Sequence, residues 1–235
     1  MVNIMLDETR KEEIGRTAAK ILLDTKSVLF NAKEPFTLTS GKISPVYIDC
    51  RRLISFVEER SDLMDMAVEM LHDIEGIDII AGGETAGIPY AAFIAERLHK
   101  PMAYIRKKPK GFGRMAQIEG HFHDIKNPGV LLVEDLQTDG GSKKVFINAL
   151  RDAGAKIEHA FVVFHYNIFE ASRKNMKDMG ITLHNLTDWW HVLDVARYHD
   201  YFDEDTLNAV EEFLKNPDIW AEANAGKSGA SSFAI

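Results

Sequence analysis

Polar and apolar residues recur along this chain in two rhythms. Apolar positions three and four apart predict an amphipathic helix over residues 8–30, carried by Ile14, Ala18, Ile21, Leu22 and Leu29. The same spacing predicts helices over residues 56–74 (Leu63, Met64, Ala67, Val68, Leu71), 88–98 and 143–150 (Val145, Phe146, Ala149, Leu150). It returns over residues 168–179, 187–198 and 203–214, with Thr187 or Asp188, and then Asp203, as caps. Between these helices lie short continuous apolar runs at residues 77–81, 102–106, 130–133, 157–164 and 181–186, the pattern of strands buried on both faces of a parallel sheet. Residues 36–49, FTLTSGKISPVYID, predict two short strands about a turn at Ser40 and Gly41, with Pro45 excluding a helix. Strands alternating with helices predict an α/β fold, a parallel central sheet flanked by helices.

Composition narrows the class. A chain of 235 residues, 46% hydrophobic and without an internal linker, is expected to form one domain with a full core. Its net charge of −8 argues against nucleic acid or an anionic membrane as the main partner, since both require a basic face. The single cysteine, Cys50, has no internal partner and is expected to pack rather than react. No apolar run approaches the roughly 20 residues of a membrane span, and the first residues are too acidic and polar for a signal peptide, so a cytoplasmic protein is expected. Residues 226–232, small and polar, have nothing to bury.

The candidate chemistry gathers at the ends of the predicted strands. After the strand at residues 130–133 come two acids, Glu134 and Asp135, and then Thr138, Gly140, Gly141 and Ser142 before a helix. Small residues, hydroxyls and glycine amides at a helix N-terminus suit a phosphate. Carboxylates at the carboxyl edge of an open sheet suit sugar hydroxyls, so the pair points to a phosphorylated ribose. A second strand-to-helix loop, GGETAG at residues 82–87, turns its amides toward the same edge. After residues 102–106 comes RKKPKGFGR, the one concentrated positive patch of an acidic chain, fitted to an anionic ligand and predicted to be mobile. Its GFGRMA portion matches G-x-G-x-x-A only formally, because no amphipathic helix begins there. His121 and His123 near Asp124 are expected to be a solvated turn rather than metal ligands.

The combination of apolar strand, acid pair and T-x-G-G-S loop resembles the signature of the type I phosphoribosyltransferases, enzymes that use phosphoribosyl pyrophosphate (PRPP). The pattern F-x-L-x-S-G-x-x-S-P-x-Y-x-D-x-R at residues 36–51 is similar to the hood of the orotate phosphoribosyltransferases. The resemblance implies a hood from about residues 1–50 with the C-terminal helices, and a core over about residues 51–186. It implies Mg²⁺-dependent transfer of the phosphoribosyl group from PRPP to orotate, giving orotidine 5′-phosphate and pyrophosphate. PRPP is then held by Glu84, Thr85 and Ala86, by Arg106, Lys107 and Lys110, and by Glu134, Asp135, Leu136, Gln137, Thr138, Asp139, Gly140, Gly141 and Ser142. Within that set Lys110 and Asp135 are the catalytic residues, and Tyr47, Ile48 and Thr138 meet the base. The metal is expected to ride on the substrate's pyrophosphate without direct protein ligands, and the enzyme to be a homodimer whose basic loop serves the neighbouring site.

The chain departs from the family pattern at several points. Thr39 stands where many members have lysine, Phe112 where many have histidine, and Met115 and Ala116 where glycine and lysine are common. His165, Tyr166 and Asn167 occupy the place of an arginine that binds the base carboxylate, and Arg173 is nearby in sequence. Trp189 and Trp190 are expected to serve the core or a dimer contact. The rivals are a purine phosphoribosyltransferase, opposed by the hood pattern, and a PRPP-binding regulator, which would need a basic DNA-binding module.

Overall fold

The computed structural model describes residues 6–37, 43–110, 117–120 and 125–225. The chain opens with helix α1 (Glu8–Asp24), followed by strands β1 (Val28–Phe30), β2 (Phe36–Thr37), β3 (Ile43–Ser44) and β4 (Val46–Ile48). A 3-10 helix (Cys50–Ser55) leads into α2 (Val57–Leu71), β5 (Ile79–Gly83), α3 (Gly87–Arg97), β6 (Met102–Ile105) and β7 (Ile118–Glu119). Then come β8 (Gly129–Gln137), α4 (Lys143–Asp152), β9 (Lys156–His165), α5 (Glu170–Met179) and β10 (Thr182–Asp188). Helices α6 (Trp189–Tyr198), α7 (Glu204–Lys215) and α8 (Pro217–Ala223) close the described chain.

The main sheet has the order β10-β9-β8-β5-β6-β7, parallel throughout except for β7 at one edge. The expected α/β fold with a parallel central sheet is thus present. Leu131, Val133, Phe161 and Val163 share one core with α1, α2, α3 and α6, while Val130, Leu132 and Ala160 share another with Phe146, Ile147 and Leu150 of α4 and Met176 of α5. Helices therefore cover both faces, as continuous apolar strands require. None of the described helices is long and apolar enough to cross a membrane.

Several expected boundaries move. The first helix stops at Asp24, not residue 30: the Thr25 hydroxyl donates to the carbonyls of Ile21 and Leu22, and Lys26 takes a positive φ of 53°. Val28–Phe30 instead pair antiparallel with Val46–Ile48, in the register Val28↔Ile48 to Phe30↔Val46, a distant partner that no helical periodicity reveals. Helix α1 also packs on β10 and α6, in one core with Val28, Phe30, Val46 and Ile48 of β1 and β4. In α4 the buried face is Lys143, Phe146, Ile147 and Leu150, and Val145 is exposed, so the expected face is rotated. The strand expected at residues 77–81 runs from Ile79 to Gly83, which moves the first two of the three glycines of GGETAG into the sheet. A side chain on Gly82 would start 2.8 Å from the Ile88 Cα, so glycine lets α3 approach the strand. The 3-10 helix, β7 and α8 were not anticipated; each is short and held by tertiary packing or edge pairing.

Candidate active site

Strand β8 extends four residues beyond the expected run, to Gln137, because β9 runs alongside it as far as His165. Glu134 and Asp135 therefore lie within a strand, and successive side chains of a strand leave on opposite faces. Glu134 turns toward α4, where Lys143 Nζ lies 2.5 Å from its Oε2. Asp135 turns toward the 3-10 helix and α3, where its charge acts on Cys50 and Tyr90. Burial first, and the charge of Glu134 to a lesser degree, push the Asp135 carboxyl above the ordinary range, against hydrogen bonding from the backbone at Leu136. Both acids still line one cavity of about 800 Å³, with Arg51, Gly83, Glu84, Thr85, Ala86, Lys107 and Ser142 among its other walls.

The loop after β8 is shaped by what lies beneath it. Gly140 takes φ 78°, and a side chain there would begin 2.7 Å from Met176 Cε and 3.2 Å from Gln137 Nε2. Gln137 itself is 2% exposed, and its amide donates to the Ser172 hydroxyl, which also contacts His165 Nε2 at 2.8 Å. Its side chain therefore supports the loop from below instead of facing a ligand. Leu136 likewise packs against the core, leaving its backbone to the site. Helix α5 ties the loop a second time, through Asn175 donating to the Asp139 carbonyl at 2.8 Å. Asp139 Oδ1 accepts from the Gly141 amide, while the amides of Asp139, Gly140 and Ser142 donate to no other atom among the described residues. Thr138 and Ser142 add exposed hydroxyls at the start of α4. Free amides, hydroxyls and the positive end of a helix together are chemically suited to a phosphate.

The second loop, Glu84 to Ala86, faces the first across the cavity, with a cis peptide between Glu84 and Thr85. Glu84 is held from both sides, its amide donating to the Ile105 carbonyl and its carboxylate accepting from the Lys107 amide at 2.7 Å. That contact joins the loop after β5 to the basic segment after β6. A second hollow of about 610 Å³ is lined by Glu84, Thr85, Arg106, Lys107, Lys108, Pro109 and Lys110. Lys110 is ion-paired with Glu119 on β7, and Arg106 stands 3.9 Å from the same carboxylate. Residues 111–116 of the basic segment, with Phe112, Met115 and Ala116, lie outside the described residues, as do Thr39, His121, His123 and Asp124 and the segment 226–232.

Of the residues expected at the base, Tyr47 projects from β4 with its ring 5.8 Å from that of Phe36, so the hood offers an aromatic pair. Ile48 is 5% exposed, with its side chain in the main core, so only its backbone is left for a base. Tyr166 is buried against Phe164, Phe169 and Trp189, which takes its ring out of consideration as a polar contact. Asn167, at φ 50°, donates to Asp188 Oδ2 and accepts from Arg173 at 3.1 Å, which tethers that guanidinium at the carboxyl edge of the sheet. Trp189 is fully buried and the Cys50 thiol is buried and pushed well up by desolvation, as packing residues should be, whereas Trp190 is exposed and does not pack in the core.

Two cations escaped the sequence reading. Arg51, at the end of the hood pattern, lines the cavity with its Nε tied to Asp49. Lys143 sat in the expected helix without any signal beyond its place next to the loop. Elsewhere, a hollow of about 590 Å³ between α1, α2 and β10 contains His159 and His184, but their nitrogens meet at 3.1 Å with ring centroids 5.3 Å apart, the separation of a ring-to-ring hydrogen bond. That hollow lies at the amino-terminal halves of β9 and β10, away from both loops.

The model of the phosphoribosyl transferase domain matches residues 58–196. Orotate phosphoribosyltransferase of Roseobacter denitrificans is 53% identical over 216 residues, covering 91% of this chain and 95% of its own length. The enzyme of the same name from Ruegeria sp. is 54% identical over 216 residues, with the same coverage of 91% and 95%. Among solved structures, orotate phosphoribosyltransferase from Aeropyrum pernix superposes with a TM-score of 0.65 at 31% identity, over 79% of this chain and 99% of that one. The domain match over residues 58–196, and relatives more than half identical to the chain over nine-tenths of its length, show that the chain belongs to the phosphoribosyltransferase family, among the orotate phosphoribosyltransferases.

Proposed function

We propose that the protein transfers the phosphoribosyl group of PRPP to orotate, forming orotidine 5′-phosphate and releasing pyrophosphate, in the route to pyrimidine nucleotides. The observation that carries this reading is the lining of one cavity: Ser142 from the loop that suits a phosphate, the carboxylates of Glu134 and Asp135, and Glu84, Thr85 and Lys107, which also line an adjoining hollow with Arg106 and Lys110. A 5-phosphate in the cradle places the ribose hydroxyls against Glu134 and Asp135, and the pyrophosphate against Glu84 to Ala86, Lys107 and Arg106. The bond from the anomeric carbon to pyrophosphate then breaks as the ring nitrogen of the base bonds to that carbon and gives up its proton.

The carbon gains positive charge and the leaving group negative charge. Fixed charges aimed at each are the largest source of rate. Asp135 faces the first, while Lys107, Arg106 and Lys110 face the second once Lys110 leaves Glu119. Mg²⁺ fits this reading as a passenger of the substrate, since Glu134, one of the two acids of the cavity, is already engaged by Lys143. Bound to pyrophosphate oxygens it would neutralise leaving-group charge. A homodimer in which the basic loop closes over the neighbouring site is part of the same proposal.

The orotate carboxylate needs a partner, since a buried anion without one is costly. Arg173, whose guanidinium donates to Asn167 at the carboxyl edge of the sheet, is offered for that role, Tyr166 being buried. Nucleotide formation with PRPP and Mg²⁺ is measured for orotate, uracil, adenine, hypoxanthine and xanthine in turn. Orotate is expected to be used, and uracil, which lacks only the carboxylate, to be rejected by orders of magnitude. Arg173→Ala is expected to raise KM for orotate tenfold or more and to narrow that discrimination. Equal use of uracil, or preference for a purine, refutes the substrate assignment; an unchanged KM in Arg173→Ala removes Arg173 alone.

A further inference from the structure

Lys143 opens α4 at a position that the helical repeat assigns to an apolar side chain. It falls in line with Phe146, Ile147 and Leu150 on the face turned to the sheet, and it is 1% exposed. Such a placement is unfavourable twice over: an ammonium loses its hydration, and it sits at the positive end of a helix dipole. One contact offsets both, the Glu134 carboxylate, with Nζ 2.5 Å from Oε2.

Glu134 is the side chain through which that contact reaches the chemistry. It lines the cavity, whereas Lys143 is not among the lining residues. The carboxylate is fenced on its other sides too: its Cγ lies 3.0 Å from where a side chain on Gly83 would begin, next to the Phe146 ring. Glycine at 83 leaves the room, Phe146 sets the wall, and Lys143 takes one of the two oxygens. Because Oε2 is buried against Lys143 while Glu134 lines the cavity, a ligand there would meet the carboxylate through Oε1.

We propose that Lys143 is a positioning residue, which binds Glu134 Oε2 so that Oε1 is aimed at the ribose hydroxyls, without touching substrate itself. The inference rests on the reading of the cavity as a PRPP site. It differs from a role in phosphate binding, which the nearness of Lys143 to the cradle would also allow, and from a purely structural ion pair.

Titration calorimetry with two fragments of the substrate separates the three. Ribose 5-phosphate and inorganic pyrophosphate are each bound to the wild type, Lys143→Met, Glu134→Gln and the double variant. Lys143→Met is expected to weaken ribose 5-phosphate by tenfold or more and pyrophosphate by less than twofold. Because Lys143 acts through Glu134, the double variant is expected to bind ribose 5-phosphate no more than twofold more weakly than Glu134→Gln alone. Thermal melting adds the readout that a structural role would not give: the double variant, with no unpaired buried charge, melts near the wild type while its ribose 5-phosphate binding stays lost. Losses that add in the double variant, equal weakening of pyrophosphate, or wild-type binding by Lys143→Met each overturn the proposal. If Lys143→Met does not fold, the comparison of the double variant with Glu134→Gln decides alone. A wild type that binds neither fragment overturns the PRPP reading itself, and this inference with it.

Discussion

Replacing Asp135 by asparagine keeps the shape of the cavity and removes a charge whose cost and benefit fall on different observables. The benefit is electrostatic: a unit negative charge about 5 Å from a carbon carrying a full positive charge, at an effective dielectric near 20, is worth about 3 kcal/mol. If half of that charge has developed at the transition state, the figure is roughly 1.7 kcal/mol, so kcat is expected to fall by between about 15-fold and about 200-fold. The cost appears in folding. Burial raises the Asp135 carboxyl above its ordinary range, so near neutral pH the ionised form is less favourable in the folded chain than in the unfolded one. A raised acid contributes its stability below the ordinary carboxyl range and loses it as pH rises through the folded value. The wild type should therefore lose stability relative to Asp135→Asn across that window, and at pH 7 the variant should melt no lower than the wild type. The same raised value places the acid limb of the wild-type kcat/KM profile above that of an ordinary aspartate, and the limb should move or vanish in the variant. Steady-state kinetics from pH 4 to 9 and calorimetric melting over the same range measure both. A turnover number within twofold of wild type refutes the catalytic role; a large drop in melting temperature at pH 7 refutes the reading of Asp135 as a desolvated charge.

Two further outcomes follow from the loops. Lys110→Ala is expected to lower kcat at least tenfold with little change in melting temperature, since Lys110 lies in a loop segment and Arg106, 3.9 Å from the Glu119 carboxylate that Lys110 pairs with, remains beside that half-buried charge; if the basic loop acts in the neighbouring site, verified heterodimers of Lys110→Ala and Asp135→Asn chains recover part of the activity, and no recovery counts against sharing. Gly140→Ala must place a side chain at φ 78° against Met176 and Gln137, a strain of about 1–2 kcal/mol that should lower Tm by roughly 2–8 °C and weaken binding of ribose 5-phosphate; a variant that melts and binds as the wild type would show that the loop does not need its left-handed residue.

Much of this protein was legible along the chain because the features concerned are local. The period of two or of 3.6 residues is set by backbone geometry, so the five strands of the parallel sheet and the helices between them announce themselves, as does the glycine cradle where a strand hands over to a helix. Charge is also local, and the basic run at Arg106 to Lys110 stood out on an acidic chain. What the chain could not show depends on partners far apart in sequence. Val28–Phe30 look like the end of a helix until Val46–Ile48 supply a strand to pair with. Gln137 looks like part of the phosphate loop until Ser172 and His165 draw its side chain underneath. Glu134 and Asp135 look like an equivalent pair, yet strand alternation sends one to Lys143 and the other toward Cys50 and Tyr90, so one is neutralised by a counter-ion and the other is left desolvated. Tertiary structure alone decides such matters, because burial and charge pairing are properties of the folded surroundings and not of the residue.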